Sequence, residues 1–391
     1  MKEKKVLLTF MVTIGIMSFL FFMTLFIYDP LSLFHKYSKD ETIYIKDMRK
    51  QAPGFIDSFE HDSAIVGTST SVSMSSLEAS RQLGGKFINV SLNGSDFYER
   101  SYVLKYLFKK DMKKIVYTID LPYFIKPRKG HPTSKIDDFD FLYDNNPLND
   151  FKSYLNIKYL KCAFSFSKTK ACIGSKAEWD RPASWHKIKS LTNRQGGLDK
   201  WFKSYPNNHM KRAFKIILSA VEKIKNNEVD VASDIEVAKR IGESKAYINK
   251  YVLDFAQKHP ETRFNLVFPP FSRIKYALDA QYHKVDFSIY KELIKYLVSK
   301  SESYNNIDVY GWDNYSFLDN IAHYRDIDHY GAHVNSWILE ALRKKEGHLT
   351  EDNIELYLNI FTQKSNSYNL IGLGKVINEF LDKFEKFKNR N

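Results

Sequence analysis

The stretch Asp62–Ser71 constrains the fold most strongly. Ala64, Ile65 and Val66 run without a polar break into Gly67, Thr68, Ser69, Thr70 and Ser71, so an apolar segment delivers a cluster of hydroxyls at its carboxyl end. A short run of this kind suits a strand buried on both faces, the usual condition of a parallel sheet. The following Ser71–Arg81 segment carries Met74, Leu77 and Glu78 and predicts a helix leaving the turn. Ser69 would then stand at a helix N-terminus, where free N–H groups and the positive dipole end favour an attacking oxygen and an oxyanion. The plainer reading of such hydroxyls is helix capping.

The same alternation continues along the chain. Lys86–Val90 reads as a second strand, Glu99–Lys109 as a helix and Lys114–Asp120 as a third strand. After a break, Arg263–Phe268 reads as a strand stopped by Pro269 and Pro270, followed by a helix over Phe287–Ser299 and a strand over Ile307–Tyr310. This is the pattern of a doubly wound α/β sheet, and Ser69, Gly94 and Asp120 fall at or just beyond strand carboxyl ends, where such sheets bind ligands. Between about 126 and 261 the rhythm gives way to a helical insertion with patterns over Met210–Lys225 and Asp234–Lys258.

A serine hydroxyl needs a base near neutral pH, commonly an imidazole oriented by a carboxylate. The loop Trp312–Tyr330 offers Asp326 and His329 at Asp-x-x-His spacing. His323 and His333 are competing bases, and Asp328 is an alternative carboxylate.

Gly67-Thr68-Ser69, the turn Asn89–Gly94 and Asp326-x-x-His329 together resemble the SGNH (GDSL-like) hydrolase and acyltransferase superfamily, in particular its membrane-anchored DltD-type and alginate-acetylation members. The resemblance implies a flavodoxin-like three-layer fold with a catalytic set of Ser69, Asp326 and His329. The oxyanion hole would combine the N–H groups of Ser69 and Gly94. It further implies an esterase or O-acyltransferase acting on an envelope polymer beside a membrane-bound O-acyltransferase, with neither metal nor organic cofactor. Where the family carries its third-block Asn, this strand ends in Asp120. An ionised Asp120 would repel an oxyanion unless it is protonated, turned away or used to hold a loop.

The uncharged run Val6–Tyr28 is long enough to span a bilayer, and Lys2, Lys4 and Lys5 precede it, whereas the first basic residue beyond is Lys36. The positive-inside rule therefore predicts a single-pass anchor over 6–28 with the bulk of the chain outside the cytoplasm. Residues 29–60 read as a membrane-proximal linker and 61–391 as the SGNH-like domain. In that compartment Cys162 and Cys172 can close a short disulfide loop, and no Cys/His spacing supports a zinc site. The net charge of +13 over 391 residues points to an anionic partner, such as acidic lipid, envelope glycan or nucleic acid. Two rival readings stand: a noncatalytic envelope glycan-binding protein of the same fold, and a DNA-binding protein, since Asp234–Ile248 has the Ala, Gly and Ile placement of a helix-turn-helix. An outward-facing domain would meet no nucleic acid.

Overall fold

The computed structural model describes residues 2–37, 43–45, 47–130 and 136–388. Helix α1 (Lys2–Tyr28) carries Leu7, Met17 and Phe19 on an open apolar surface. Its 27 residues extend about 40 Å at about 1.5 Å per residue, against about 30 Å of bilayer hydrocarbon. It is long and apolar enough to cross a membrane.

The body is mixed α/β around a mostly parallel sheet. Strands β2 (Ser63–Val66), β3 (Phe87–Asn89), β4 (Lys114–Thr118), β6 (Arg263–Val267) and β7 (Ile307–Tyr310) run parallel, and β8 (His348–Leu349) closes one edge antiparallel. Their order is β3-β2-β4-β6-β7-β8. A separate antiparallel ribbon pairs β1 (Ile43–Ile45) with β5 (Ser175–Ala177), tying the segment after α1 to the insertion.

Successive strand residues alternate between two cores, which explains the unbroken apolar runs. Ala64, Val66, Ile115, Tyr117 and Leu266 face α2 (Met48–Ser58), α4 (Phe97–Leu107) and the helix Lys284–Ser303. Ile65, Val116 and Val267 face α3 (Ser76–Leu83) and the helices Asn208–Lys225 and Ala332–Lys344. All of these strand residues are fully buried, so truncating one, as in Ile65→Ala, is expected to cost about 3 kcal/mol.

Three expectations change. Part of the segment read as a linker is α2, whose Phe55 and Ile56 are fully buried. Its Pro53-Gly54 pair reads as a helix breaker, yet the Arg49 carbonyl that Pro53 cannot serve accepts from the Tyr143 hydroxyl at 2.7 Å. Gly54 fits because a Cβ there would come within 2.1 Å of the Ser32 carbonyl oxygen. Second, the helix after the hydroxyl cluster begins at Ser76, not Ser71, so Ser69 lies in the turns before it and away from the helix end. Third, Asp234–Ile248 is one continuous helix through Gly242, so the turn that a helix-turn-helix needs is absent there.

Candidate active site

Between Ser63 and Ser76 every residue is buried except Ser69, which is half-buried. The turn therefore presents one side chain outward and anchors the rest. Gly67 is required where the turn leaves β2, since a Cβ there would meet the Ser71 and Thr118 hydroxyl oxygens at 2.2 and 2.3 Å. The Asn89 amide donates to the Ser71 and Met74 carbonyls at 2.9 and 2.8 Å, pinning the turn to the end of β3.

The candidate base, His329, comes from a loop closed on itself. Tyr324 pairs with Tyr330, the Arg325 N–H donates to the His329 carbonyl at 2.9 Å, and Trp201 Nε1 donates to the Tyr324 carbonyl at 3.2 Å. Inside the loop, Asp326 Oδ1 accepts from the Asp328 and His329 N–H groups at 3.0 and 2.8 Å, a local Asx turn that sets the three-residue spacing. The same oxygen lies 2.8 Å from His329 Nδ1, and His329 Nε2 lies 2.9 Å from Ser69 Oγ. Because a carboxylate only accepts, Nδ1 is assigned the proton and Nε2 is left to accept from Ser69.

The charge on Asp326 is well supported. Burial would raise its carboxyl, but His329, Arg325 and the backbone donor at Asp328 hold it far below the usual carboxylate range. Arg325 is itself pushed down to about 10 by burial, lies 3.7 Å from Asp326 and stacks on the Trp185 ring at 3.8 Å. The alternatives weighed from sequence fall elsewhere. His323 Nδ1 and His333 Nε2 face each other at 3.0 Å, and burial lowers both. Asp328 contributes its backbone N–H to Asp326, while burial raises its own carboxyl against the pull of Lys275.

On the opposite side, the turn carrying Gly94 is tied to the Ser69 turn through the Gly67 carbonyl, which accepts from the Leu92 N–H at 2.9 Å and the Ser95 hydroxyl at 3.3 Å. Gly94 has φ +63°, a left-handed conformation that favours glycine. Among the described residues, neither the Ser69 nor the Gly94 N–H makes a hydrogen bond. Asp120 holds a loop. Its carboxylate accepts from the hydroxyls of Thr68 at 2.5 Å, Thr70 at 3.0 Å and Thr118 at 2.9 Å, and lies 3.5 Å from the buried guanidinium of Arg100.

Sequence reasoning missed a strap from the insertion that crosses the Ser69 turn. Asp180 accepts from the Ser75 hydroxyl at 2.8 Å and the Leu77 N–H at 2.7 Å, capping α3. Ser184 meets the Ser73 hydroxyl at 2.8 Å, and Trp185 Nε1 reaches the Ser69 carbonyl at 3.5 Å. These partners are more than 100 residues apart, with no local pattern to announce them.

Beside the strap opens a cleft of about 760 Å³, lined by five lysine or arginine side chains, among them Arg49, Lys176 and Arg181, against the two acids Asp47 and Glu178. It also exposes Ser184 and Asn93, neighbours of the Ser69 turn and of Gly94. No group of three or more His, Cys, Asp or Glu side chains is placed to hold a metal among the described residues. No family model, curated protein or solved structure matches the chain.

Proposed function

We propose that this chain is an SGNH-type serine esterase or O-acyltransferase, anchored by α1 with its catalytic domain outside the cytoplasm and acting on acyl groups of an anionic envelope polymer. The observation that carries the reading is the chain Ser69–His329–Asp326, linked at 2.9 and 2.8 Å from turns 260 residues apart, with Ser69 the single unburied residue of its stretch. Both distances lie within the reach a nucleophile and its base require. The five parallel strands, numbered by sequence among themselves, run 2-1-3-4-5, the flavodoxin-like order, which supports the SGNH reading of the fold.

In this mechanism Ser69 Oγ attacks the acyl carbonyl carbon as its proton passes to His329 Nε2. Asp326 holds the imidazolium in place and balances its charge. The oxyanion is received by the N–H groups of Ser69 and Gly94, a donor pair of the kind whose loss costs about 10²–10³ in rate. His329 then returns the proton to the departing alcohol oxygen, leaving an ester on Ser69. Water or a polymer hydroxyl, deprotonated by His329, attacks that ester and restores the serine; water gives hydrolysis and the hydroxyl gives transfer. Of the basic side chains in the adjoining cleft, Arg49, Arg181 and Lys187 pair with Glu99, Asp180 and Glu178, so Lys170 and Lys176 are the ones that favour an anionic acceptor, and a membrane-bound O-acyltransferase is the fitting source of the acyl group.

The test uses a small aryl acetate with and without an envelope glycan acceptor. Acetate release by the parent protein that vanishes in Ser69→Ala supports the reading. Equal, background rates in both proteins, together with retained glycan binding, favour a noncatalytic glycan-binding protein instead.

A further inference from the structure

Cys162 and Cys172 are joined as a disulfide and close a lobe that packs directly on α1. Phe21 meets Phe164 at 5.7 Å between ring centroids, Phe22 meets Phe151 at 5.2 Å, and buried Leu25 packs with Tyr154 and Tyr159. The joint is fixed by Asp29, whose carboxylate accepts from the Tyr154 hydroxyl at 2.5 Å and from the Phe34 and His35 N–H groups at 2.8 Å each. Helix and lobe therefore form one continuous unit.

The depth of that contact is informative. Phe21 lies two turns before Tyr28, about 10 Å back along the axis at about 1.5 Å per residue. A helix inserted as the apolar run dictates takes Phe164 below the end of that run, in the depth range of about 5–10 Å that interfacial helices occupy. On the same lobe Ile157 is 75% exposed, Phe164 56% and Phe166 55%, although a soluble surface normally avoids grouping such side chains. Lys158, Lys161 and Lys168 are exposed among them, with stems long enough to reach lipid headgroups while the apolar side chains face the acyl region.

We propose that this disulfide-closed lobe enters the outer lipid interface around the exit of α1 and seats the domain on the membrane, with bilayer lipid covering Ile157, Phe164 and Phe166. The proposal rests on the anchor reading of α1 and is independent of the serine chemistry. Lipid is the occupant because the exposed face is continuous with the membrane-spanning helix and is interleaved with lysines. Lys170 lines the basic cleft, so seating the lobe also holds that cleft near the headgroups.

The experiment places the full chain in nanodiscs of phosphatidylethanolamine and phosphatidylglycerol containing a phospholipid with a diazirine midway along one acyl chain. After illumination, adducts are mapped by peptide mass spectrometry. Adducts are expected on α1 and on Ile157, Phe164 and Phe166, at least about tenfold above those on Ile235 and Leu356, exposed apolar residues outside the lobe. The triple change Ile157→Ser, Phe164→Ser, Phe166→Ser should abolish labelling of the lobe and leave that of α1. Adducts on α1 with the lobe no more labelled than Ile235 would overturn the proposal while leaving the anchor intact. Absence of adducts from both would overturn the anchor reading and the proposal with it.

Discussion

Thr68 donates its hydroxyl to Asp120 at 2.5 Å, joining the residue before the candidate nucleophile to the end of the neighbouring strand. Asp120 thus restrains the turn, and the buried Arg100 guanidinium beside it offsets its charge. Asp120→Ala leaves that guanidinium uncompensated and frees three hydroxyls, so it should cost about 3–5 kcal/mol in chemical denaturation. Asp120→Asn keeps an acceptor for Thr68 and should cost about 1–3 kcal/mol. An unchanged denaturation midpoint in Asp120→Ala would remove this role.

Asp180 couples the insertion to the turn carrying Ser69 by capping α3. Asp180→Ala should cost about 1–2 kcal/mol, the range of a lost helix cap, and should also lower kcat/KM for aryl acetate because the strap over Ser69 loosens. Asp180→Asn should recover most of the stability. Full activity in a destabilised Asp180→Ala would mean that the cap has no bearing on the site.

Asp313 is buried, accepts from the Tyr276 and Tyr290 hydroxyls at 2.6 and 3.0 Å, and is lifted by burial to about 6 despite those donors. A carboxyl whose folded value exceeds its unfolded value, about 3.9, contributes stability that is fully present below the unfolded value and lost as pH rises through the folded one. Stability attributable to Asp313 should therefore fall by about 2 kcal/mol between pH 4 and pH 7. Unfolding curves of parent and Asp313→Asn should converge or cross over this interval, with the variant gaining relative stability as pH rises. Parallel pH profiles would contradict the burial effect.

The disulfide between Cys162 and Cys172 closes a loop with a sequence separation of 10. In the chain-entropy treatment a loop of this size is worth about 3 kcal/mol. Cys162→Ser with Cys172→Ser should make the lobe exchange its amide hydrogens faster while the sheet strands keep their protection. Uniform loss of protection through β2, β4 and β6 would show instead that the lobe is part of the global folding unit.

The sheet was legible in the sequence because strands buried on both faces must be apolar throughout, as in Ala64-Ile65-Val66 and Ile115-Val116-Tyr117. The juxtaposition of Ser69, Asp326 and His329 was legible because the proposed chemistry asks for a hydroxyl beyond a strand and a carboxylate near the base, and the Asx turn of Asp326 fixes that spacing locally. Strands β1, β5 and β8 are two or three residues long, too short for a pattern to show, and β5 and β8 also carry Lys176 and His348, so tertiary pairing alone creates them. Helix α2 was hidden by Pro53 and Gly54, whose remedies, the Tyr143 hydroxyl and the close approach of Ser32, come from elsewhere in the chain. The role of Asp120 depended on Arg100 and three hydroxyls that only the fold brings together.

The most direct measurement is covalent labelling of the full chain with a fluorophosphonate, followed by mapping of the modified residue. The proposed serine mechanism calls for one adduct, on Ser69, absent from Ser69→Ala and formed at least about 10²-fold more slowly in His329→Ala, in keeping with loss of a general base. His333→Ala should label at the parent rate, since its ring faces His323. Undiminished labelling of Ser69→Ala, or modification of a different residue, would contradict the assignment of Ser69 as the nucleophile.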